Sequence, residues 1–272
     1  MIDRTFQLIR GVGPAREKDL WRRGVRTWND LPKNEVTLSA RLDPALHAAI
    51  GQSRRALDSG DLPALLALLP QRERWRLLPH FEGEAAYLDI ETDGTSSNAE
   101  VTCVGVLFRG KVRAFVNGFD LDAFPAFAEQ LRLLVTFNGS CFDVPVLERY
   151  FRGLRLPRAH IDARFAARSA GMSGGLKALE KALGLERPLH LQGVGGFEAV
   201  RLWRIWRDGG DRAALAKLVE YNLYDAVQLQ PVLQRLYNRM RDVEISGAAH
   251  LPQTERGDFL YDITREVARF AP

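Results

Sequence analysis

Four carboxylates stand where they could act as one group. Asp89 and Glu91 close the apolar run Ala86-Tyr-Leu-Asp-Ile-Glu91. In an extended strand their i, i+2 spacing puts both acids on one face. Two carboxylates on one face repel unless positive charge lies between them. A divalent cation such as Mg2+ takes hard oxygen ligands of this kind. Asp143 follows an apolar approach and a turn in Val135-Thr-Phe-Asn-Gly-Ser-Cys-Phe-Asp143-Val-Pro-Val-Leu147. Asp225 stands in Glu220-Tyr-Asn-Leu-Tyr-Asp225-Ala-Val, four residues after Tyr221 and so on the same helix face. Leu218, Val219, Val227 and Leu229 surround it, and an Asp in such a setting is costly unless paired or metal-bound. Singly, each has a plainer explanation: a polar strand end, a helix N-cap at Asp143, a Tyr–Asp hydrogen bond. The three segments together are more specific than any one.

The elements that must carry these acids can be read from the pattern. The run ending at Glu91 predicts a buried strand. Glu100 to Arg109 and Lys111 to Val116 predict two more, joined at Gly110 by a tight hairpin. Leu121 to Leu131 predicts an amphipathic helix, Leu133 to Phe137 a fourth strand, Val144 to Phe151 a helix and Ala159 to Ala163 a fifth strand. Helices fill the rest, the last running from about Arg212 to Arg239. Antiparallel strands first, then strands alternating with helices, predict an α/β fold: a mixed sheet flanked by helices.

Residues 1–80 read differently. Leu42, Leu46, Ala49 and Ile50 recur at helical spacing, as do the leucines from Leu62 to Leu69. This part holds 14 Lys+Arg against 9 Asp+Glu, whereas residues 81–272 hold 24 against 25. The basic excess is modest and fits a solvated helical surface as well as a phosphate-binding face. Cys103 and Cys141 form no CxxC pair, which argues against structural zinc. Both are expected as buried, reduced thiols in a cytoplasmic protein. No apolar leader or membrane-length apolar run is present.

The order of DxE on a strand, NGxxFD, then YxxxD in a late helix resembles the DEDD superfamily of 3′→5′ exonucleases. The Tyr221-to-Asp225 spacing is that of its tyrosine subgroup; the sister subgroup has His where this chain has Glu220. Residues 85–237 are similar to bacterial ribonuclease-H-like exonucleases that resemble polymerase proofreading domains. HIDARF (160–165), GGLKALEKALGLER (174–187) and YNLYDAVQL (221–229) carry that likeness.

The resemblance implies a ribonuclease-H-like domain over 81–240, after a small all-helical domain (1–80) and before a C-terminal extension (241–272). It implies two Mg2+ or Mn2+ ions, with Asp89 bridging them and Glu91 and Asp225 holding one or the other. Asp143 would act mainly through a bound water. Two such ions ~3.5–4 Å apart clamp the attacking and leaving oxygens of a phosphodiester. Tyr221 would orient the attacking water, since a phenol of pKa ~10 is a poor base at neutral pH. Thr92, Asn138 and Phe142, close to these acids in sequence, are candidate contacts to the strand. The implied substrate is nucleic acid, DNA with a single-stranded 3′ end, and no membrane.

The stretch Phe6 to Val25, with Ile9-Arg-Gly11-Val-Gly13-Pro14 and Leu20, resembles a helix-hairpin-helix motif. Gly11 and Gly13 would let backbone N–H groups approach a phosphate beside a helix N-terminus, with Arg10, Arg16 and Lys18 adding contacts. A purely structural turn is the alternative. In Arg201-Leu-Trp-Arg-Ile-Trp-Arg207 the aromatics are expected to pack inward. Asp93, followed by Gly94, reads as a turn residue. The rival functions are an RNA 3′ exonuclease, a structure- or damage-selective (abasic-site) endonuclease, and a non-catalytic DNA-binding adaptor.

Overall fold

The structure is a computed structural model that describes residues 1–31, 38–94, 98–244, 250–253 and 255–272. Residues 32–37 of the helical stretch and 245–249 and 254 of the C-terminal extension lie outside the described residues. The chain forms two compact units. The first holds Met1–Glu82. The second holds Gly83–Val243 and the described residues beyond Ala249.

In the first unit a 3-10 turn at Ile2–Arg4 precedes α1 (Pro14–Arg22), α2 (Leu42–Ser59) and α3 (Leu62–Leu68). A 3-10 segment, Gln71–Leu77, then leads into α4 (Leu78–Phe81). Pro14 stands in the first turn of α1, where its missing N–H costs nothing. Gly60 ends α2 in the left-handed region (φ 66°), and the Asp61 side chain caps α3 through Ala64 N–H. Phe6, Leu20, Leu46, Leu62, Leu65 and Leu77 are buried. Beside them lies a buried polar group. The Glu17 carboxylate accepts from Thr5 Oγ1 (2.6 Å), Phe6 N–H (2.7 Å) and Gln7 Nε2 (2.6 Å). Arg76, fully buried, lies 3.8 Å from it and 2.8 Å from Glu73.

The second unit is built on a sheet of order β3-β2-β1-β4-β5. Its strands are β1 (Ala85–Thr92), β2 (Val101–Phe108), β3 (Lys111–Val116), β4 (Leu133–Thr136) and β5 (His160–Asp162). β1, β2 and β3 pair antiparallel; β4 pairs parallel to β1, and β5 to β4. This is the mixed α/β sheet the alternation of elements predicts. The β2–β3 hairpin turns on Arg109 (φ 50°) and Gly110 (φ 72°), and two consecutive positive φ values match the right-handed twist of the strands. β1 and β2 are buried along nearly their whole length, so they read as continuous apolar runs rather than alternating ones.

The helices of this unit are α5 (Phe124–Ala128), α6 (Asp143–Tyr150), α7 (Ala163–Ser169), α8 (Leu176–Ala182), α9 (Gly196–Gly209) and α10 (Arg212–Glu244). Residues 121–131 do not form the single helix expected. A 3-10 turn at Leu121–Ala123 gives way to α5, with Pro125 in its first turn, because proline cannot sit inside a continuous helix without losing a hydrogen bond. Cys141 is exposed, not buried as expected; it sits in the turn between β4 and α6, outside any packed element. α10 is buried all round from Tyr221 to Leu229, the mark of a helix inside the core. No helix among the described residues is long and apolar enough to cross a membrane.

The C-terminal residues, on which the sequence pattern is silent, pack onto this unit. Gly257 N–H donates to Gln228 Oε1 (2.8 Å), and a Cβ at Gly257 would meet the Val227 carbonyl oxygen at 2.4 Å. The short helices α11 (Gly257–Leu260) and α12 (Thr264–Val267) follow. The Glu266 carboxylate accepts from Ala114 N–H of β3 (2.9 Å), and Arg269 pairs with Asp120 (2.7 Å).

The Glu17 network yields a test. Glu17→Ala leaves a buried N–H without an acceptor and weakens the pairing of a buried guanidinium. It should destabilise the first unit by on the order of 3 kcal/mol in urea unfolding, while Glu17→Gln should cost less.

Candidate active site

The candidate site lies where the C-terminal half of β1 meets the central turns of α10. Asp89 and Glu91 project from β1 to one side, as their spacing requires. Asp89 is half-buried and Glu91 buried. Asp225 comes from α10 and is also buried. One carboxylate oxygen from each of Asp89, Glu91 and Asp225 lies within 4.8 Å of the other two. Asp143 is outside that trio but lines the same cleft.

Asp143 is delivered by a tightly specified turn. β4 ends at Thr136, and Asn138 adopts a left-handed φ of 63°, which Asn tolerates better than most residues. Gly139 approaches so closely that a Cβ there would lie 2.2 Å from Thr136 Oγ1. Asp162, at the end of β5, accepts from the N–H groups of Asn138 (2.8 Å), Ser140 (3.1 Å) and Arg164 (3.0 Å). It therefore locks the turn and caps α7 together. Asp143 is the first residue of α6, and the N-cap position falls on Phe142, so Asp143 is not the helix cap. The backbone of Ile90 on β1 and of Asp143 itself favours its charged form against burial.

The electrostatics show what the arrangement costs. Burial, then the charges of Asp225, Asp143 and Glu91, holds the Asp89 carboxyl well above the usual range; an Asn222 hydrogen bond opposes this. Glu91 is raised well above its ordinary value by burial, Asp225 and Asp143, with Lys177 pulling the other way. Burial pushes Asp143 up to about 7 and also raises Asp225, against the pull of Arg187. Arg187 lies 2.5 Å from Asp225 Oδ1 and is itself clamped by Glu180 at 2.6 and 3.1 Å.

Tyr221 is buried, and its pKa is pushed upward by burial and the three acids. Its hydroxyl therefore stays protonated at neutral pH. Three hard, converging carboxylates, with Asp225 raising the pKa of both Asp89 and Glu91, fit a divalent cation, which would offset that repulsion.

Around the acids is a cleft of about 630 Å³, lined also by Asn138, Phe142, Arg164, Arg168, Gly175 and Gly196. Phe142 is 36% exposed. Arg164 donates to Asn138 Oδ1. Thr92 ends β1 and turns its hydroxyl to the Gly94 carbonyl (2.7 Å). Asp93 closes the β1–β2 connection through Glu100. Leu202 and Trp203 pack into the core, and Trp206 is half-buried against Phe119. His160, beside β4, meets Thr136 Oγ1 at 2.8 Å.

In the first unit, Gly11 has a φ of 100° and its carbonyl accepts from the Arg16 guanidinium. Arg16 is thus turned back onto the loop. Arg10 and Lys18 are exposed. A separate cleft of about 400 Å³ is lined by Gln7 to Gly13, Ala67, Leu68, Pro70 and Arg72.

Reasoning from the sequence missed Asn222, Arg187 and Asp162, all buried and all bonded to the acids or to the turn that presents one. Each lies inside a motif phrase, so the signal was a buried polar residue next to a predicted ligand. It also missed the cations Arg164, Arg168 and Lys177 beside the acids.

Residues 86–237, more than half of the chain, match the RNase H superfamily, and the chain belongs to that superfamily. A domain of that superfamily with a carboxylate cluster compatible with metal binding suggests a nuclease, and hence a nucleic-acid substrate. No curated protein matches it.

Repulsion among the acids yields a thermal test. Mg2+ or Mn2+ should raise the melting temperature of the wild type by mass action. Without divalent ions, Asp89→Asn should melt at least about 2 °C higher than wild type, because it removes one charge and keeps an acceptor for Asn222. The variant should respond less to added metal.

Proposed function

We propose that the chain is a metal-dependent 3′→5′ exonuclease of the tyrosine subgroup of the DEDD superfamily. It would hydrolyse phosphodiester bonds at single-stranded or frayed 3′ ends of DNA and release nucleoside monophosphates. The observation that carries this reading is the convergence of Asp89, Glu91 and Asp225 in a cleft that also holds Asp143 and Tyr221.

Asp89, Glu91 and Asp225 would hold Mg2+ or Mn2+, with Asp143 contributing through water. Bound divalent ions would lower the pKa of the attacking water and neutralise charge on the leaving oxygen. Tyr221, one helical turn from Asp225 and kept protonated, would serve as a hydrogen-bonding group that orients a water, not as a base. Arg164, Arg168 and Lys177 offer positive charge to the phosphates of an entering strand. Phe142 offers an exposed ring for a base, and Asn138 helps present it. The acids are buried or half-buried, so a strand must reach in to meet them. A free or frayed end does this more readily than a paired interior.

DNA is preferred over RNA on the strength of the first unit. There, the N-terminal end of α1, Gly11, Gly13 and the exposed Arg10 and Lys18 would hold a backbone phosphate without reading bases.

A DNA strand labelled at its 5′ end and incubated with Mn2+ should shorten as a ladder from its 3′ end. EDTA should stop this. Asp89→Ala should cost several kcal/mol of barrier, about 10³-fold in rate, and Tyr221→Phe about 10²-fold. Discrete internal cuts, or cleavage of a circular strand, would favour the endonuclease. An intact strand that is still bound would favour an adaptor. Faster shortening of an RNA strand, undiminished by loss of Met1–Glu82, would favour an RNA exonuclease.

A second measurement isolates the first unit. Arg10→Ala and Lys18→Ala should each weaken DNA binding regardless of sequence and flatten the salt dependence by about one unit of slope.

A further inference from the structure

Asp89 on β1 stands directly opposite Gly105 on β2. A Cβ at Gly105 would lie 2.4 Å from Asn222 Oδ1, 3.1 Å from its Cγ and 3.2 Å from its backbone oxygen. The glycine is required here for close approach: it lets α10 come down onto the sheet. The space it leaves is filled by the Asn222 amide, which is fully buried.

Both ends of that amide have partners. Nδ2 donates to Asp89 Oδ2 at 2.8 Å. Oδ1 accepts from the Cys103 thiol at 3.1 Å, and Cys103 itself stands opposite Glu91 in the strand register. A carboxylate in its charged form only accepts, so the NH2 end must face Asp89. The thiol, a weak donor, then completes the other end.

This bond opposes a specific force. Glu91, Asp143 and Asp225 all repel the Asp89 carboxylate. A carboxylate free to rotate would swing away from them and out of the cluster. Asn222 is the neutral donor that holds it.

We propose that Asn222 is a positioning residue of the metal site. It occupies Oδ2 of Asp89 and leaves Oδ1 as the oxygen presented to the cation, and Gly105 is the vacancy that makes this possible. The inference rests on the reading of the acids as a metal centre. Asn222 touches neither substrate nor cation; it acts through Asp89.

The test measures Mn2+ binding by calorimetry without nucleic acid, on wild type, Asn222→Leu, Gly105→Ala and Asp89→Ala. Cooperative melting in EDTA establishes that each variant is folded. Asn222→Leu keeps the volume and removes the donor; Gly105→Ala keeps the donor and displaces it. Each should weaken Mn2+ binding by about 10–100-fold. A purely structural role for Asn222 would change melting and leave the Kd of the folded protein unmoved. Folded Asn222→Leu and Gly105→Ala that bind Mn2+ as tightly as wild type overturn the proposal and leave the metal centre standing. Wild type that binds no better than Asp89→Ala overturns the metal centre and the proposal with it. If one variant does not melt cooperatively, the other decides.

Discussion

Crowding of carboxylates in a largely buried cleft is the constraint on which the second unit turns. Each acid alone would be expensive to bury, and Asp225 and Asp143 further raise the proton affinity of Asp89 and Glu91. Nothing in ordinary packing rewards such an arrangement. It persists because the surrounding frame over-determines it. β1 is buried on both sides and cannot rotate its acids outward without moving its whole apolar face. α10 is buried around its full circumference at the level of Asp225, so it cannot roll. Perturbed carboxyls of this kind, gathered in a cleft, mark a candidate functional site.

The polar residues nearest the acids divide that task. Arg187 supplies a positive charge to Asp225 and is kept from drifting by Glu180. Asn222 supplies a neutral donor to Asp89. Asp162 handles Asp143 at one remove, by fastening the turn that precedes it. Charge is thus placed on a buried acid, and the neutral hydrogen bond on Asp89, the half-buried one. A second cationic side chain against Asp89 would satisfy the carboxylate just as well and would compete with a metal for the same oxygen.

Much of this was legible in the sequence. The five strands, their hairpin and the late helix follow from apolar runs and turn residues. The pairing of Asp89 with Glu91 follows from the two-residue period of a strand, and that of Tyr221 with Asp225 from the four-residue reach of a helix. Both are local rules, and local rules survive folding. What was not legible depends on distance in space. No periodicity connects Arg187 to Asp225, or Gly105 to Asn222, because those contacts are set by how α10 and the α8–α9 connection lie on the sheet. The exposure of Cys141 was misjudged for a related reason: its apolar neighbours belong to the elements on either side, not to the turn it occupies. The break in the 121–131 helix is signalled in the sequence by Pro125, which outweighs the amphipathic pattern.

The tail of the chain packs along the edge of the sheet. β3 is the edge of the sheet, and beyond it the backbone would present open donors and acceptors. Glu266 takes the N–H of Ala114, and Arg269 ties the same segment down through Asp120. These residues lie past the end of the superfamily match, yet they close a margin that the matched region leaves open. The homology boundary and the folding boundary are therefore different places. A chain cut at the former would carry every acid of the site and an uncovered strand beside it, ready to pair with the same strand of a second molecule.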